Sequence, residues 1–178
     1  MKNKNILVEK EDVSKIITRI SHEIIESCGD LSDVVVIGIK TRGEFVAQRI
    51  IKEIKRIKSL LLPIGTLDIT FHRDDFSNKF LTPKLGPSII PCDLNDKQII
   101  LVDDVLYTGR TIRSAIDEIF SFGRPKNIRL AVLVDRGHRE LPIRPDFIGK
   151  NLPTSIDEHI MVNMVETDKL DSIIKVSK

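Results

Sequence analysis

Apolar residues recur at positions 13, 16, 17, 20, 24 and 25, the spacing of an amphipathic helix over Val13–Ile25. The period then changes. Asp33 to Gly38 reads DVVVIG, a short β-branched strand. Helical spacing returns from Gly43 to about Ile57, with Phe45, Val46, Ile50, Ile54 and Ile57 on the side to be buried. Residues 60–70 predict a strand placed at an edge or beginning after Pro63, because proline cannot donate to a central ladder. Residues 71–97 keep no period and carry prolines at 83, 87 and 91. So long a stretch without its own element is more often a functional lid or arm. A strand over 98–103, a helix over 110–122 and a strand over 128–134 form a βαβ unit. Segment 135–158 is loop-rich, with a short strand at Phe147–Ile148. Residues 159–166 alternate as a last strand, and a short terminal helix is expected near Leu170–Ile174. This alternation predicts an α/β fold with a mostly parallel central sheet and helices on both faces. There is no internal repeat and no low-complexity segment.

Composition narrows the class without naming a chemistry. The 178 residues suffice for one well-filled core, and 41% hydrophobic with 30% charged is a soluble, globular balance. No apolar run reaches the roughly 18 residues that a membrane span needs. The N-terminal MKNKNILVEKEDV has no apolar h-region, so a secretory signal is not expected. Cys28 and Cys92 have no second ligand pair near them, which argues against a disulfide or a cysteine-based metal site and for a reducing cytoplasm. A formal charge of +2 does not by itself point to nucleic acid; only its distribution can.

Chemistry is concentrated at two strand ends. The run IILVDDVLYTGRT, residues 99–111, is a buried strand closing on Asp103 and Asp104 and then on a turn with two hydroxyls, a glycine and a cation. Helical spacing follows through Ile112, Ala115, Ile116 and Ile119. Strand, turn and helix start aim backbone N–H groups at an anion. Two adjacent acids can simply cap such a turn, but at the carboxyl end of a parallel strand they also sit where open α/β sheets bind ligands. The pair suits a ligand with hydroxyls or a cation beside its phosphate, and it can favour positive charge developing on a sugar carbon. The second strand end, VIGIKTRG at 36–43, sets Lys40 and Arg42 on either side of Thr41 before the next helix. Two anion-ready loops suit a substrate with two separated phosphate groups. Neither GxxxxGK[ST] nor GxGxxG occurs, so an ATPase or a dinucleotide-dependent dehydrogenase has no support.

The run IILVDDVLYTGRT resembles the phosphoribosyl pyrophosphate (PRPP) motif of type I phosphoribosyltransferases. The segments GIKTRG at 38–43, DITFHRDD at 68–75, LVDDVLYTGRTIRSA at 101–115 and LAVLVDRGHRELPIRPDFIGKNLPTS at 130–155 resemble the PyrR family. The likeness spans nearly the whole chain and weakens in 76–95 and after about 165. It implies one phosphoribosyltransferase domain over 1–178, with a small hood and a mobile arm at about 70–97. Family members regulate pyrimidine operons by binding RNA, and many convert uracil and PRPP to UMP and pyrophosphate. By resemblance, Asp103 and Asp104 hold the ribose hydroxyls of PRPP. Thr108, Gly109, Arg110 and Thr111, with backbone of Leu106 and Tyr107, cradle its 5′-phosphate. Lys40, Thr41 and Arg42 belong to the pyrophosphate loop. Arg136, Gly137 and His138 lie near uracil or its covering hood. In the arm, Arg73 approaches the pyrophosphate, and His72 departs slightly from the usual YRDD form. Magnesium is expected to bind mainly through PRPP oxygens and water, with no protein ligand in direct contact assigned.

The resemblance also implies an RNA surface. Thr18, Arg19 and His22 share a face of the first helix by their spacing, and the family places them with Thr41, His138 and Lys150 on a basic concave face that meets the loop of a pyrimidine-operon leader mRNA. The family is dimeric and in some members tetrameric. Two alternatives stay open: an RNA-binding regulator with negligible transferase activity, and a purine (hypoxanthine or guanine) phosphoribosyltransferase on the same fold. The basic cluster Lys52, Lys55, Arg56 and Lys58 has no assigned role.

Overall fold

A computed structural model describes residues 3–69 and 87–177. Five strands form one wholly parallel sheet: β2 (Val34–Ile39), β3 (Ile64–Leu67), β4 (Gln98–Leu106), β5 (Asn127–Asp135) and β6 (Phe147–Asn151), in the order β3-β2-β4-β5-β6. β4 is therefore the middle strand, with neighbours on both sides. Its apolar run is continuous because both faces are covered. On one face Val34, Val36, Ile100, Val102, Ala131 and Leu133 pack under α1 (Lys10–Cys28) and α2 (Arg42–Lys58). On the other, Val35, Ile37, Ile99, Leu101, Leu130 and Val132 pack under α3 (Arg110–Ser121) through Ile112, Ala115 and Ile119. The alternation of these numbers is the two-residue period of a strand buried on both sides. Fully burying one such side chain stabilises the fold by about 1.5–3 kcal/mol.

A second sheet is antiparallel, in the order β1-β8-β7: β1 (Asn3–Val8), β7 (Glu158–Asn163) and β8 (Ser172–Ser177), with the single-turn helix α4 (Val165–Asp168) between the last two. This corrects one expectation and fills one gap. Residues 172–177 are a strand and not a terminal helix, because the run SIIKV is rich in β-branched residues and pairs along both edges, with β1 and with β7. The N-terminal NILV, left unassigned by periodicity, supplies β1 on one of those edges. Val8, Ile160, Val162, Met164 and Ile173 join the core beneath α1 and α2, so this small sheet is fused to the larger one.

Two boundaries also shift. β4 runs on through Asp103 and Asp104 to Leu106, three residues past its predicted end, because Asp103, Val105 and Leu106 still pair with β5. The proposed arm, 70–97, is fixed in its last part: Ile89 bridges to Thr66 of edge strand β3, and Leu94 is fully buried. Residues 70–86, which include Arg73, lie outside the described residues.

Candidate active site

The carboxyl end of β4 opens on a cavity of about 400 Å³. Asp103 and Asp104, only 4% and 8% exposed, form part of its lining. Charged groups this buried need partners; Asp103 Oδ1 accepts the Asp104 backbone N–H at 2.9 Å. After them, Leu106, Tyr107, Thr108, Gly109 and Thr111 line the wall. Gly109 carries a φ of 95°, which favours glycine, and caps α3. The Thr108 hydroxyl accepts the Arg110 backbone N–H at 3.2 Å, and the first turn of α3 holds no acidic residue. The positive end of that helix dipole thus meets the loop without a compensating carboxylate, an arrangement suited to phosphate.

Neighbouring loops brace this turn. The Thr108 carbonyl accepts the N–H groups of Glu140 and Leu141 at 3.0 and 3.1 Å. Arg139, unassigned by the sequence reading, donates from Nη1 to the Tyr107 carbonyl at 2.6 Å and from Nε to the Ile143 carbonyl at 2.9 Å, and it is ion-paired with Asp135. Nothing in sequence spacing distinguishes Arg139 from the other cations of DRGHRELPIR; its role comes from a loop folding back.

Of the second anion loop, only Arg42 lines the cavity. The Lys40–Thr41 peptide bond is cis, the Lys40 N–H donates to Leu67 O at 2.9 Å and its ammonium to Pro87 O at 3.1 Å. Thr41 is exposed at the start of α2. Arg42 makes a two-point pair with Asp168 of α4, from Nη2 at 3.0 Å and Nε at 3.3 Å. Partial burial pushes the Asp168 carboxyl up, but the Met164 N–H, the Arg42 guanidinium and the Thr167 hydroxyl outweigh it and hold it down at about 2. Two turns further along α2, Arg49 clasps Glu166 and Asp171, both at 2.7 Å. Burial alone would lower the Arg49 pKa; the two carboxylates reverse that and raise it.

The hood supplies the roof, and the sequence reading missed its residues. His159, Ile160, Met161, Val162 and Val176, from β7 and β8, line the cavity. Arg136 is buried beneath, its guanidinium 3.9 Å from the Tyr107 ring centroid, with Nη2 donating to the Glu158 carbonyl at 2.9 Å. Gly137, His138 and Arg110 are outside the lining. His138 donates from Nε2 to the Thr154 carbonyl at 2.5 Å and meets Tyr107 edge-on, while Arg110 pairs with Glu140 at the surface.

The residues expected at an RNA surface divide. Arg19 donates from Nη2 to the Ile148 and Gly149 carbonyls at 2.9 and 2.6 Å, tying α1 to β6 just before exposed Lys150. Thr18 donates to Glu53 of α2 at 3.2 Å, and His22 is exposed. Among the described residues no hydrogen bond or ion pair joins Thr41 or His138 to this face.

A parallel strand ending in paired acids, a phosphate-shaped turn and a roofing antiparallel hood are phosphoribosyltransferase architecture, and the sequence model of the phosphoribosyl transferase domain family matches residues 4–166. Solved structures agree on the fold. A hypoxanthine-guanine phosphoribosyltransferase from Bacillus anthracis superposes with a TM-score of 0.70 at 20% identity, covering 98% of this chain and 99% of that one. A hypoxanthine phosphoribosyltransferase from Staphylococcus aureus gives 0.71 at 19%, covering 98% and 91%. At such identities the likeness concerns the fold and not the base. The curated relatives are far nearer. "Bifunctional protein PyrR" of Latilactobacillus sakei is 54% identical over 169 residues, 94% of each chain, and that of Brevibacillus brevis is 50% identical over 173 residues, 97% of each. The chain belongs to the PyrR family of phosphoribosyltransferases.

Proposed function

We propose that this chain transfers the phosphoribosyl group of PRPP to uracil, giving UMP and pyrophosphate, and that it also binds the leader mRNA of a pyrimidine operon in response to UMP and PRPP. The observation that carries the enzymatic half is the convergence of Asp103 and Asp104, the 107–111 turn and Arg42 on one roofed cavity, in a chain so near its PyrR relatives.

On this reading each wall has a role. The 107–111 turn and the α3 N-terminus take the 5′-phosphate, Asp103 and Asp104 take the ribose hydroxyls, and Arg42 faces the pyrophosphate. Uracil stacks between Tyr107, stiffened by Arg136, and the hood residues Ile160–Val162. The C1–O bond to pyrophosphate breaks ahead of full C1–N1 bond formation, and the N1 proton of uracil leaves to solvent or the departing pyrophosphate. Positive charge on the ribosyl ring is stabilised by the two buried carboxylates, so catalysis is positioning and electrostatics rather than a covalent intermediate. Among the described residues no group of three or more His, Cys, Asp or Glu side chains could hold a metal ion. The two carboxylates at the cavity are hard oxygen donors that fit a magnesium ion bringing most of its ligands with PRPP. Neutralising the departing pyrophosphate is the chemistry that such an ion supplies.

The regulatory half places RNA on the α1–β6 face, with Arg19, His22 and Lys150 meeting unpaired bases and backbone of a loop, and assembles the chain as a dimer or tetramer. No described helix is long and apolar enough to cross a membrane. The test has two arms. Purified protein with magnesium makes UMP from uracil and PRPP; equal or better turnover of hypoxanthine or guanine overturns the uracil assignment. Asp104→Asn, which keeps size and loses charge, lowers kcat/KM by roughly 2–4 kcal/mol of transition-state stabilisation while the protein stays folded.

A further inference from the structure

Arg42 and Arg49 are seven residues apart on α2, two turns, and so share one face of that helix. Both are spent on the same short stretch of the hood. Arg49 makes two-point contacts with Glu166, at 3.0 and 2.7 Å, and with Asp171, at 2.9 and 2.7 Å. Arg42 gives its Nε and Nη2 to Asp168. Asp168 is itself fixed: its Oδ2 accepts the Met164 N–H at 3.0 Å and the Thr167 hydroxyl at 2.7 Å. The result is a planar guanidinium held along one edge by a carboxylate that cannot swing away. Its Nη1 has no partner among the described residues, on a side chain that lines the cavity.

We propose that Asp168 is a positioning residue for the pyrophosphate of PRPP, acting through Arg42: it ties down the Nε–Nη2 edge of the fork and leaves Nη1 for the ligand. This rests on the assignment of Arg42 to the pyrophosphate side of the site and adds a residue to it that touches no substrate. A long cation loses rotamer freedom when it binds, and a side chain already held in place loses less. The acid also adds negative charge near an anion, an opposing effect. That charge is already neutralised at contact distance by Arg42, so preorganisation is the larger of the two. Because Arg49 holds both Glu166 of α4 and Asp171 just beyond it, the hood that roofs the base is tied to the helix that carries the arginine facing pyrophosphate.

The test uses the full chain and two probes, inorganic pyrophosphate and UMP, in calorimetric titrations alongside steady-state kinetics. Asp168→Asn retains an oxygen for the Met164 N–H and loses the charge. It is expected to weaken pyrophosphate binding and raise KM for PRPP roughly tenfold, with UMP affinity and kcat little changed. Asp168→Glu, which keeps the charge but displaces it by a methylene, is expected to lose about threefold. If the asparagine variant does not fold, the glutamate variant decides. Pyrophosphate binding as tight as in the parent, or tighter, in a folded variant overturns the positioning role. Arg42→Ala separates this from the underlying assignment: if its pyrophosphate affinity is unchanged, Arg42 does not face pyrophosphate and both readings fall. If Arg42→Ala loses affinity and the Asp168 variants do not, only the role of Asp168 falls.

Discussion

Gly43, in the first turn of α2, lies against the end of β4 so closely that a Cβ there would be 2.6 Å from the Val102 carbonyl oxygen and 3.2 Å from the Asp103 carboxylate. Replacing a helical glycine by alanine usually stabilises by about 1 kcal/mol. Here the contact is with backbone that cannot rotate out of the way, so overpacking of about 1–3 kcal/mol outweighs the helix gain. Gly43→Ala is expected to lower stability in urea melts and to lower kcat/KM as well, because the strand end that must yield carries Asp103. A variant that is more stable and fully active would show that the approach is looser than described.

Arg139 makes a second prediction, for a residue that never touches the cavity. Its fork holds the Tyr107 and Ile143 carbonyls at once while paired with Asp135. Lysine keeps the charge but cannot reproduce a planar, two-sided grip. Arg139→Lys should destabilise the protein by about 1–3 kcal/mol, since one part-buried carbonyl is left unpaired. It should also raise KM for PRPP more than it lowers kcat, as the 107–111 turn loosens. Steady-state kinetics with PRPP as the varied substrate checks the split.

The parts of the site legible in sequence are those written on contiguous residues. Asp103 to Thr111 form a strand, a turn and a helix start in unbroken order, and local periodicity locates each. Arg42 could be placed at a strand end for the same reason. Arg136 is placed beside its strand by the sequence, but its stacking on Tyr107 is not, since they lie 29 positions apart. The roof of the cavity was hidden differently. β7 is a short strand, buried only at Ile160 and Val162, whose alternation in HIMVN says strand without saying what lies beneath, and β8 is short and largely buried. A four-residue helix between them displaced the periodicity, and so 170–174 read as a helix. Nothing in local spacing singles out Glu166, Asp168 and Asp171; only the folding of α2 against the hood brings two arginines to them.

Asp168 also gives a pH dependence. Its carboxyl is held down at about 2, against 3.8 when unfolded. A depressed folded pKa means that the unfolded chain binds the proton more readily, so this stabilisation is complete above about pH 4. It is lost as pH falls through the folded value near 2. Urea unfolding followed from pH 6 to pH 2 should show a smaller decline for Asp168→Asn than for the parent chain, with the curves converging at the acid end. Parallel curves would mean that the carboxylate is as exposed to protonation folded as unfolded.

On the α1–β6 face, charge and position divide between two residues. Lys150 is exposed, whereas Arg19 is committed to the Ile148 and Gly149 carbonyls and paired with Glu23. Releasing counterions requires a cation that can meet phosphate. Lys150→Ala should therefore reduce the salt dependence of leader-RNA binding by about one unit of slope and leave stability unchanged. Arg19→Ala should weaken binding with a smaller change in slope and lower stability by about 1 kcal/mol, because it mainly holds the backbone that presents Lys150. Both are read in titrations at several salt concentrations, with UMP, with PRPP and with neither. For a pyrimidine sensor, UMP tightens binding relative to PRPP by roughly 5–150-fold, a coupling of about 1–3 kcal/mol. The lysine variant should keep that ratio while its affinity falls, since Lys150 is not part of the cavity wall. Equal affinities in all three conditions for the parent chain would leave an RNA binder without a sensor.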